Sequence, residues 1–143
     1  MNTYHRTALA ALALVPALIL TYCARSNRTS EEVANASVQC ILDMETVLRD
    51  VRTENAQTIA DRLGDIHTEL QAIRYSLSQM SHTQKNEVKE LVEMQHSKVA
   101  DPMLQCTVYA AGLEKANYMN CEELKQVTQD IRQTMREIEQ LLK

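Results

Sequence analysis

A chain of 143 residues with a formal charge of −4 has the length of one domain. With 2 Gly, 2 Pro, no Trp and no Phe it lacks the turn formers and rings that sheet proteins depend on, which leaves an all-α protein with an aliphatic, Met-filled core. Nineteen acids against 15 Lys and Arg, interspersed along the chain, exclude a nucleic-acid binder that works through a basic surface.

Residues 1–26 have the layout of an export signal: His5 and Arg6, the apolar run Ala8 to Leu20, then small and polar residues. Cleavage after Ser26 places Ala24 and Ser26 at the two small-residue positions a signal peptidase requires. Two alternatives remain. Cys23 stands where a lipoprotein signal carries its lipidated cysteine, three residues after Leu20, although Tyr22 is a poor fit to the small residue normally found there. The run is also extendable to a retained anchor, interrupted by Pro16 and short of the roughly 20 residues a bilayer span needs. With Arg6 and Arg25 gone, residues 27–143 form a single helical domain of charge −6.

A first helix is expected from Ser30, as cap, to about Arg52, with Val33, Cys40, Met44, Val47 and Val51 on one stripe flanked by Ile41 and Leu48. Thr53 to Asn55 reads as a turn. A second helix follows to Met80, in which Ile59, Leu63, Ile66, Leu70, Ile73, Leu77 and Met80 recur at alternating steps of four and three. That regularity suits a coiled-coil seam or the central strut of a bundle. After the polar cluster Ser81 to Gln84, a long third helix carries Val88, Leu91, Val92, Val99, Met103, Cys106, Ala110 and Leu113, with a kink or restart expected at Asp101 and Pro102. Ala110, Ala111 and Gly112 make a small-residue patch that a neighbouring helix can approach closely. Asn120 with Glu123 reads as the cap of a last helix, on the stripe Leu124, Val127, Ile131, Met135, Ile138 and Leu142. Four helices joined by short turns predict an antiparallel up-down-up-down four-helix bundle.

An exported chain meets oxidising conditions, so the cysteines are disulfide candidates. Cys40 and Cys106 each lie about 13 residues from a turn at the same nominal end, although counted from the turn near Ser81 Cys106 sits about 18 Å above Cys40 unless a break at Pro102 absorbs the excess. Cys106 and Cys121 lie about 13 and two residues from their turn, a mismatch of roughly 15 Å. Cys40 with Cys106 is therefore the candidate pair, against the alternative of ordinary buried thiols. Glu93 and His96 have the spacing of a ferritin-like carboxylate site, but no second Glu-x-x-His accompanies them, and Met94 and Met103 read as core filler rather than soft ligands. No metal, cofactor or catalytic residue is assigned. The triplets beginning at Asn27 and Asn35 are glycosylation sequons that matter only in a eukaryotic secretory pathway.

The run Cys40, Ile41, Met44, Val47, Leu48 and Val51, the seam from Ile59 to Met80 and the later segment Tyr118 to Leu124 resemble small exported helical-bundle proteins of unknown function found in bacteria. The resemblance implies a bacterial cell-envelope location, periplasmic or envelope-associated, and an exposed apolar stripe or projecting third helix there makes the chain a non-catalytic structural or protein-binding module. Its partner would be another protein or a second copy of the chain, docked through the proline-interrupted third helix. A small periplasmic chaperone or sensor, or a secreted cytokine-like ligand, is the alternative reading.

Overall fold

The computed structural model describes residues 28–143, which are all-α, with five helices and no strand. They are α1 (Ser30–Arg49), α2 (Ala56–Gln79), α3 (His82–Met94), α4 (His96–Lys115) and α5 (Glu122–Leu141). The export segment 1–26, and with it Cys23, lies outside the described residues. No helix among the described residues is long and apolar enough to cross a membrane.

α1 is capped by Thr29, whose hydroxyl accepts from the Glu32 N–H at 3.2 Å while the Glu32 carboxylate accepts from the Thr29 N–H at 2.7 Å. The cap falls one residue before the expected Ser30 because Glu32 stands three residues after Thr29 and completes the reciprocal pair. Ser30 itself is buried. The turn after α1 forms where expected, as a short 3-10 segment, Thr53–Asn55. Asn55 staples it: its side-chain oxygen accepts from the Arg52 N–H at 2.7 Å and its amide donates to the Asp50 carbonyl at 2.8 Å. Ser81 and Gln84 form a second capping box and open α3.

The core follows the seam of α2. Ile59, Leu63, Ile66, Leu70, Ile73 and Leu77 are all buried, together with Val33, Cys40, Met44, Val47 and Leu48 of α1 and Leu124 and Ile131 of α5. α2 lies between α1 and α5, and α1 also packs against α3 and α4. Cross-helix contacts give the directions. Arg28, just before α1, pairs with Glu69 well along α2, so these two helices run antiparallel. Between α2 and α5 the contacts climb in step, Gln57 with Cys121, His67 with Thr134 and Arg74 with Glu137, so these two run parallel. Asn35 with Gln95 and Ile41 with Cys106 climb in step between α1 and the α3–α4 segment.

Three local expectations are corrected. The third helix breaks at Gln95, not at Asp101 and Pro102, and α4 runs on through Pro102. Pro102 is half-buried on the inward side and forgoes one intrahelical hydrogen bond, whereas at Gln95 the backbone leaves the helical range, with φ −97° and ψ 9°, and the side chain bonds Asn35 of α1 at 3.1 Å. Met94 and Met103, expected in the core, are 72 % and 46 % exposed. Asn120 does not cap α5. It belongs to a left-handed run, Asn117 to Asn120, with φ between 47° and 58°, which denies it the extended backbone a cap needs. Its side chain accepts from Asn117 instead, at 3.0 Å, and α5 begins behind Cys121. Left-handed backbone costs roughly 1–2 kcal/mol per non-glycine residue. Burial of Tyr118 in the core offsets part of that cost.

Leu63 is 1 % exposed and contacts the core from the middle of α2. Leu63→Ala is expected to cost about 2–5 kcal/mol. A urea-unfolding midpoint unchanged from wild type would show that α2 is not the central element.

Candidate functional site

Cys40 lies buried on α1, facing the Arg28–Glu69 pair that ties α1 to α2. Burial pushes its pKa up to about 12, with the Glu69 and Asp43 carboxylates adding to the shift and Arg28 opposing it. Cys106, on α4, donates to the Ile41 carbonyl at 3.8 Å. Burial and Glu45 push its pKa up to about 11. Both thiols are therefore protonated at neutral pH and are poor nucleophiles.

The fold brings α4 level with α1 as the proposed Cys40–Cys106 pairing requires, yet both thiols are free. Cys106 meets α1 at the Ile41 carbonyl rather than at the Cys40 thiol. Cys121 is also free; its thiol lies 3.7 Å from the Gln57 side chain and 3.6 Å from Glu123.

The break at Gln95 separates Glu93, on α3, from His96, on α4, so the two do not share a helical face. Among the described residues no group of three or more His, Cys, Asp or Glu side chains is arranged to hold a metal ion. His67 instead meets Thr134 across the α2–α5 interface at 3.1 Å. Sequence reasoning missed this contact, and missed that α5 turns Thr128 and Thr134 inward beside Leu124 and Ile131. Thr128 satisfies its hydroxyl on the Leu124 carbonyl at 2.7 Å, which lets a polar residue stand on the buried stripe. An open cleft of about 200 Å³ between α1 and α2 is lined by Asp43, Thr46, Val47, Arg62, Asp65 and Ile66. Small-molecule sites start at about 300 Å³ and enclose their ligand, so this cleft is not built as one.

The remaining feature is the outer face of α4. Leu104 is 61 % and Val108 55 % exposed, Ala111 and Gly112 are exposed, and residues 102–113 carry no charge. In a chain whose residues are 24 % charged, a neutral, solvent-facing stretch of three turns is the least expected surface. Comparison of the chain with known protein families, with curated proteins and with solved structures finds no match.

The folded-state pKa of Cys40 lies above the ordinary value of 9.0, so its contribution to stability is intact below about pH 9 and is lost as pH rises toward about 12. In urea unfolding between about pH 9 and about pH 11, Cys40→Ala should show a shallower alkaline loss of stability than wild type. Parallel slopes would mean that the thiol is solvated.

Proposed function

We propose that this protein is a non-catalytic, exported helical bundle that serves as a structural or protein-binding module of the bacterial cell envelope. The single observation that carries the binding role is the neutral, exposed face of α4. Monomeric proteins rarely leave contiguous apolar helix faces in water, and such faces are used to dock other chains. In the bundle we infer, α1, α2, the broken strut of α3 with α4, and α5 run up, down, up and down. The opposed directions of α1 and α2 and the in-step contacts of α2 with α5 support that arrangement.

Export rests on the sequence of residues 1–26, with a charged start, an apolar run of 13 residues from Ala8 to Leu20, and Ala24 and Ser26 before the cut. Mass spectrometry of the protein isolated from its native cells should give a chain that begins at Asn27. A lipid-modified mass beginning at Cys23 would replace the soluble form with a membrane-tethered one. An unprocessed chain recovered from the cytoplasm would overturn the export reading.

A further inference from the structure

We infer that the outer face of α4 is an isologous interface, and that its occupant is a second copy of this chain with the two α4 helices antiparallel. The inference rests on the reading of the protein as a binding module and names the partner.

The face is self-complementary about Val108. Asp101 and Lys115 lie seven residues on either side of it, and Leu104 and Gly112 lie four. In a two-fold antiparallel pair centred there, Val108 meets its own copy, Leu104 of one chain sits over Ala111 and Gly112 of the other, and Asp101 meets Lys115 at both ends. At about 100° per residue these six positions fall on one strip of the helix, opposite the buried Val99 and Leu113. The sizes match as well as the signs: a Cβ placed on Gly112 would meet nothing within 4 Å, so the small-residue patch lies open to receive a large side chain. Asp101 and Lys115 are both exposed, and among the described residues neither takes part in an ion pair. Within one chain they stand about 21 Å apart along α4, too far to pair with each other. A different protein would have no reason to match this symmetry.

The contact runs for about four turns of one helix, at the small end of specific interfaces, so the dimer should be weak and concentration-dependent. Sedimentation of the full chain should show a monomer–dimer equilibrium. Leu104→Glu should abolish it with helical circular dichroism unchanged, because the side chain is exposed in the monomer. Asp101→Lys and Lys115→Asp should each weaken self-association about tenfold at low salt, by turning two attractive contacts repulsive.

An equimolar mixture of the two single variants should recover wild-type association, because each mixed pair restores opposite charges at both ends. A monomer at all concentrations overturns the inference, as does a dimer indifferent to the swaps or a mixture no better than its components. Each of those failures leaves the export result, read from the mature mass, unaffected.

Discussion

The seam of α2 is the constraint on which the other helices depend. Its apolar residues face two ways, toward α1 and toward α5, so a single element takes part in two of the extensive interfaces among the described residues. With no Phe or Trp to fill volume, Leu, Ile, Val and Met must do so by close interdigitation, and a helix with steps of four and three presents them at the needed regularity. α3 and α4 are held from the other side, by α1. Their main packing partner is α1, with Val88 and Leu113 reaching the shared core, which helps explain why the rest of their stripe is less completely buried.

Polar contacts refine this packing without driving it. Arg28 with Glu69 and Arg74 with Glu137 tie α2 to its two neighbours at partly exposed positions, where ion pairs contribute little. The hydrogen bonds from Gln133 and Arg74 hold the Glu137 carboxyl below its usual range, which keeps that acid charged and the tie intact. His67 with Thr134 lies deeper, between α2 and the buried side of α5.

The legible parts of the fold were those where periodicity spoke alone. The seam of α2, the stripe of α1 and the turn at Asn55 appear in the residue pattern and in the structure alike, because each is set by burial or capping within a short span. The break at Gln95 was not legible: no Gly or Pro marks it, and the one side-chain bond that Gln95 makes there goes to Asn35, 60 residues away. Pro102 misled for the opposite reason, since a strong local rule was overridden by tertiary packing. The left-handed run at Asn117 to Asn120 has asparagine at both ends but Tyr118 and Met119 in the middle, residues that give no warning of that backbone. For the outer face of α4, the Ala110 to Gly112 patch was visible in the sequence. That Met103, Leu104 and Val108 stand in solvent was not, because helical spacing alone cannot say which face a neighbour covers.

The connections of the chain carry a kinetic consequence. Among the described residues, α1 and α2 are the one pair of successive helices that forms an extensively packed hairpin; α2 and α3 meet at Met80 and Ser81 and share few contacts, and α5 packs back on α2. The side-chain bonds that join α1 to α4 and α2 to α5 therefore span between 60 and 67 residues. Loop closure over such lengths must precede the contacts that reward it. This all-helical protein should thus fold more slowly than a bundle of sequential hairpins, with the α1–α2 hairpin as its earliest stable piece and α5 among the last elements to dock.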